Sequence, residues 1–225
     1  MAKVFLGVGH GGNDPGASKY LVEKDVNLVM AKACRDYLEA NGIQVLMSRT
    51  KDENDPLTDE IKECNAFNPD LAVDIHNNAG GGDGFEAYYH YKGGSSKVLA
   101  LNIEEEVKAI GQNSRGCKTK LNSSGKDYFG FIRETLCPAV IVEGCFVDNQ
   151  TDVQIANTEE KQRAFGHAYA RGILTTLGIE PVESNQANPN QELYRVQIGA
   201  YSQKENAQAQ LQKAKEAGFS DAYIA

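Results

Sequence analysis

Nowhere in this 225-residue chain does an apolar run approach the ~20 residues that a membrane-spanning helix needs. Met1 to Val8 also lacks the design of a secretory signal, because its apolar part is short and ends in Gly9-His10-Gly11. The expectation is a protein made in the cytoplasm without a signal peptide, reaching the outside only after release. A basic excess is missing too. With Lys+Arg 23 against Asp+Glu 31 the formal net charge is −8, the wrong sign for a nucleic-acid face. The five cysteines (Cys34, Cys64, Cys117, Cys137, Cys145) are an odd, scattered set with no Cys-x-x-Cys. That argues against a disulfide framework and for buried thiols in a reducing compartment.

What is present is ordinary for a globular protein: 41% hydrophobic and 24% charged residues, enough for one α/β domain and a small appendage. Short apolar runs at Val4–Val8, Ile43–Ser48, Leu71–Ile75 and Ala139–Val142 read as buried strands, with a further β-rich run from Phe85 to Tyr91. Helical spacing marks 22–40, 57–67, 97–110 and 158–177. Asn41-Gly42, Asn68-Pro69 and Gly178 supply stop signals. This alternation predicts a mostly parallel, twisted sheet with helices on both faces. Residues 111–126 show no period and are read as a polar segment able to line a groove, and Phe129–Arg133 as a short apolar piece.

The chain is arranged around Val8-Gly9-His10-Gly11-Gly12-Asn13-Asp14-Pro15-Gly16-Ala17. A histidine ending a first strand, in a loop too rich in Gly and Pro to start a helix, sits where open α/β sheets build their sites. Strand ends and one helix start deliver His10, Glu23, His76 and Glu143. Two imidazoles and a carboxylate form the ligand set of hydrolytic zinc sites. A second carboxylate off the metal then handles the proton, and Glu143 is the candidate. Asp14 and Asp74 compete with Glu23. Glu23 is preferred because Asp14-Pro15 reads as turn chemistry, and Asp74 sits two residues before His76. His90 and His167 are expected at the surface.

Gly9-His10-Gly11-Gly12-x-Asp14-Pro15-Gly16-Ala17, Glu23-Lys24-Asp25-x-Asn27-Leu28, Ser48-Arg49-Thr50, Ile75-His76-Asn77-Asn78-Ala79 and Arg133-Glu134-Thr135-x-x-Pro138-Ala139-Val140-Ile141-Val142-Glu143 resemble the zinc-dependent N-acetylmuramoyl-L-alanine amidases of bacterial autolysins and phage endolysins. The resemblance runs over about residues 1–178 in the family's order. It implies one zinc ion on His10, Glu23 and His76, with Glu143 as catalytic carboxylate and Arg133 either positioning the substrate or holding a structural ion pair. It also implies cleavage of the amide between N-acetylmuramic acid and the first L-alanine of the stem peptide, at the cell wall. Two departures are Asp74, where the family more often has a small residue, and Gly144-Cys145-Phe146 after the catalytic acid.

Residues 180–192 read as a linker, leaving 1–179 as the catalytic domain and 193–225 as a small βαβ unit. That unit, with Tyr194-Arg195-Val196-Gln197-Ile198-Gly199-Ala200-Tyr201 and then Ala207, Leu211, Ala214 and Gly218-Phe219, resembles the first repeat of a SPOR module. The resemblance implies binding to peptidoglycan glycan strands. A single repeat points to truncation or to a homodimer that completes one sheet. Rival readings are a zinc peptidase acting on cell-wall peptides, a non-catalytic wall binder, and a dinucleotide-dependent oxidoreductase. The last rests on Gly7-Val8-Gly9-His10-Gly11-Gly12, and it requires a helix to open at Gly12.

Overall fold

The computed structural model describes residues 1–181, 199, 201–217 and 219. The chain divides into two compact units, Met1–Ser184 and Asn185–Ala225. The first holds strands β1 (Lys3–Val8), β2 (Gln44–Met47), β3 (Leu71–Asn78), β4 (Phe85–Tyr89), β5 (Ser114–Lys118) and β6 (Ala139–Phe146). Its helices are α1 (Glu23–Ala40), α2 (Leu57–Phe67), α3 (Ser95–Ala109), α4 (Gly130–Glu134) and α5 (Glu159–Leu177). The described part of the second unit contains α6 (Lys204–Glu216). The expected linker, 180–192, lies outside the described residues apart from 180 and 181, and the expected tail strands, in 194–198 and 222–224, lie outside them too.

The strands form one sheet in the order β2-β1-β3-β6-β4-β5. β1 pairs parallel with β2 and β3, and β3 parallel with β6. β4 reverses direction against β6, and β5 runs parallel to β4. The chain leaves β1 to one side through α1 and returns past it through α2 to β3. Right-handed crossovers of opposite travel put these two helices on opposite faces.

Period-two alternation sorts the strand residues. Val4, Leu6, Val8, Val73, Ile75, Val140 and Val142 join the core shared with α1, α3 and α5. Phe5, Ala72, Ala139 and Ile141 face a smaller core with Ile61 and Cys64 of α2 and Phe131 and Ile132 of α4. Strands covered on both sides read as continuous apolar runs, which is why they stand out in the sequence. The smaller core stops short: further along the same face, β3 offers Asp74 and His76, and β6 offers Glu143. The polar end of this face is where the site lies.

Local signals act as expected at several ends. The Thr158 hydroxyl accepts from Lys161 N at 3.3 Å and caps α5, and Gly178 closes it at φ 69°. Asn68 ends α2 in the left-handed region, φ 52°. Three expectations change. β5 lies inside the segment read as aperiodic; it is a short edge strand, half-covered and without alternation, so periodicity could not reveal it. The piece after Phe129 is a single helical turn, α4. His167 is half-buried against the Tyr37 ring, 5.3 Å between centroids, because α5 packs along α1. His90 is half-exposed and pairs with Asp127 at 3.2 Å. The dinucleotide reading fails on geometry: the first helix opens at Glu23, well past Gly12, so no helix N-terminus stands behind the Gly loop.

Candidate metal centre and active site

The loop after β1 delivers His10 in an uncommon backbone state, φ 64°, that a non-glycine residue adopts only where its surroundings hold it there. Two interactions hold it. Arg49, buried to 2% exposure, donates to the carbonyls of Val8, Gly9, Lys24 and Lys51. Asn27, one turn into α1, donates to the Gly9 carbonyl at 2.9 Å and accepts from Asn77 at 2.8 Å. Gly9 itself has no substitute, because a Cβ there would lie 2.2 Å from the His76 ring.

Glu23 opens α1 and is almost fully buried. Its Oε2 accepts from Ala17 N at 2.9 Å, and its Oε1 from Asn77 N at 3.1 Å. Oε1 also lies 3.2 Å from His10 Nε2 and 3.1 Å from His76 Nδ1. Ligand atoms of His10, Glu23 and His76 all fall within 4.8 Å of one another, the metal-competent trio found among the described residues. Burial opposes charge on Glu23, but the two imidazoles hold its carboxyl far below the usual range. Burial likewise opposes charge on His76, yet Asp74 and Glu23 raise it well above an ordinary imidazole.

The outer nitrogens of both rings are occupied. Asp14 Oδ2 lies 2.9 Å from His10 Nδ1, and Asp74 Oδ2 lies 3.3 Å from His76 Nε2. The two carboxylates weighed as competing ligands thus stand behind the imidazoles, directing His10 Nε2 and His76 Nδ1 toward Glu23. The signal was in the spacing: residues two apart on a strand share a face, so Asp74 and His76 lie side by side. Glu60 of α2 was not singled out. It is buried beside Asp74, where burial and that neighbour push its carboxyl well above the usual range.

Glu143 sits directly across the β3–β6 ladder from His76. Its Oε2 is buried with no hydrogen-bond partner among the described residues. Burial pushes its carboxyl up to about 7, with Glu23, Asp74 and Glu86 adding to the rise and His76 opposing it. Beside these groups a cleft of about 570 Å³ is walled by Leu57 of α2, Phe129 ahead of α4, and Ile141, with Asp55 and Glu60 along it. Arg133 does not join the cluster. It donates to the carbonyls of Asp127 and Tyr128 and pairs with Glu134 at 2.7 Å, holding the chain before α4. Cys145 is buried with its sulfur 3.2 Å from Asn77 Oδ1, and burial raises its thiol, so it offers no nucleophile.

A family model described as N-acetylmuramoyl-L-alanine amidase matches residues 4–175, and one described as SPOR domain matches 170–225. The chain is similar to a sporulation-specific N-acetylmuramoyl-L-alanine amidase of Bacillus subtilis, 34% identical over 97% of this chain and 83% of that protein. Among solved structures it resembles Cwp6 from Clostridium difficile, with TM-score 0.77 and 36% identity over 78% of this chain, although it spans only 29% of that one. It also resembles the catalytic domain of the amidase CwlV from Paenibacillus polymyxa, with TM-score 0.72 and 28% identity over 80% of this chain and all of that one.

Proposed function

We propose a working scheme from one premise: the chain belongs to the N-acetylmuramoyl-L-alanine amidase family. Its activity is that of a peptidoglycan amidase. Finer than this are the ion, the residues and the domain limits, and these are our reading. The observation that carries it is the convergence of His10, Glu23 and His76 within 4.8 Å.

Those donors fit zinc. An ionised carboxylate and two imidazole nitrogens, each ring braced from behind by an aspartate, are the set used at hydrolytic zinc sites. When bound, the ion supplies Lewis acidity and lowers the pKa of a water toward ~7. Glu143 takes the proton of the attacking water and returns it to the amine nitrogen as the amide between N-acetylmuramic acid and L-alanine breaks. Oε2 of Glu143, buried with no hydrogen-bond partner among the described residues, is free to take that proton. Leu57 and Phe129 give the cleft an apolar wall. Arg133 supports the wall of the cleft by holding the chain before α4.

The organisation that follows is a catalytic domain at 1–179, a linker at 180–192 and a SPOR-type unit at 193–225 that holds glycan strands of the cell wall. Among the described residues no helix is long and apolar enough to cross a membrane. Digestion of purified walls tests the scheme. New N-terminal alanine together with one zinc per chain supports it, whereas new reducing sugar ends overturn it.

A further inference from the structure

β5 carries Arg115 and Lys118 to the flank of the catalytic acid. The link is Glu86 on β4, which stands directly across the β4–β6 ladder from Glu143. Glu86 is buried, and Lys118 Nζ reaches it at 2.7 Å, Arg115 through Nε, and the Tyr88 hydroxyl at 3.1 Å. Two cations therefore contact the one Glu86 carboxylate. Arg115 is also fixed over the Phe146 ring, 5.3 Å from its centroid. Its side chain stays 44% exposed, and its two terminal nitrogens have no hydrogen-bond partner among the described residues. A guanidinium held at Nε and on one face presents the remaining fork ready for a carboxylate.

Position says which carboxylate. The metal trio sits over β1 and β3, and the guanidinium is anchored over β4, two strands beyond β3. At ~4.8 Å per strand the separation is about 10 Å, or about three residues of extended peptide at ~3.3 Å each. Of the two arms of the substrate, the sugar arm has its carboxyl tied up in the amide being cut. Only the peptide arm carries free carboxylates.

We infer that Arg115, braced by Glu86, Phe146 and Lys118, is a specificity residue that binds a free carboxylate of the stem peptide about three residues from the scissile amide. This rests on the reading of His10, Glu23, His76 and Glu143 as the active centre.

The test is steady-state kinetics of the full chain on matched muramoyl-peptides whose carboxylates are either free or converted to carboxamides. The unaltered enzyme should prefer the free carboxylate by about 10- to 100-fold in kcat/KM, expressed in KM, as a charge-assisted contact implies. Arg115→Ala should bring that ratio to about one. Arg115→Lys, which keeps the charge and loses the fork, should fall between. An unaltered enzyme that cleaves both peptides equally overturns the inference while leaving the active centre standing, as does an Arg115→Ala enzyme that keeps the full ratio. An unaltered, zinc-loaded enzyme that cleaves neither peptide overturns the active-centre reading and this inference with it.

Discussion

Each histidine at the centre is braced by an aspartate, and each brace has its own consequence. Asp74 fixes the His76 ring through Nε2. Asp74→Asn should weaken zinc binding by about 10- to 100-fold, as read by competition with a chelating dye, while the fold stays intact. Glu143→Gln should keep the metal and lower kcat by at least ~100-fold, since proton transfer alone contributes about that much. The same residue sets a pH dependence in metal-free protein. In the folded protein burial pushes its carboxyl up to about 7, against 4.5 for an ordinary glutamate. The folded state therefore binds the proton more tightly, and stability is lost as pH rises from about 4.5 through 7. Glu143→Gln should then be more stable than the parent at pH 8, by about 3 kcal/mol at most, with the gap closing below pH 4.5. Urea melts at both pH values would show it, and a gap that widens on acidification would refute the burial argument.

At the scale of elements, the site depends on how the end of β1, the Gly loop and the start of α1 are tied. Arg49 bridges all three by donating to carbonyls of Val8, Gly9, Lys24 and Lys51. Arg49→Met would take that donor from all four carbonyls, the Gly9 carbonyl keeping the Asn27 amide, at a cost of about 3 kcal/mol, measurable as a lowered midpoint in chemical denaturation. β3 was legible as a strand, though it runs two residues past His76, to Asn78, and not only to Ile75 as expected. Its partnership with β6 was not, because register is a property of two segments far apart in sequence. That register places Glu143 opposite His76 and Glu86 opposite Glu143. β5 stayed hidden for a different reason. An edge strand half-covered on its faces has no need of the alternation that reveals other strands.

Across the whole molecule, cleavage and wall attachment are assigned to different parts of the chain. A protein ending at residue 179 should still cleave soluble muramoyl-peptides at the parental rate. It should lose retention on intact sacculi, measured by co-sedimentation. If truncation abolishes cleavage of small substrates, the two activities are not separable as proposed. The five thiols are free, and Cys34, Cys64 and Cys145 are buried.

The amino-acid order by itself determined the alternating strands and helices, the Gly loop, and the residue types that meet at 10, 23, 76 and 143. These follow from local periodicity and turn chemistry, which need no knowledge of distant neighbours. Only the tertiary structure decided which imidazole nitrogens face Glu23, that Asp14 and Asp74 stand behind the two rings, that Arg133 stays with its own loop, and that Arg115 reaches the flank of Glu143 through Glu86. Each of those depends on contacts of a few ångströms between segments separated along the chain. Sheet register and helix docking set such contacts, and no local pattern records them.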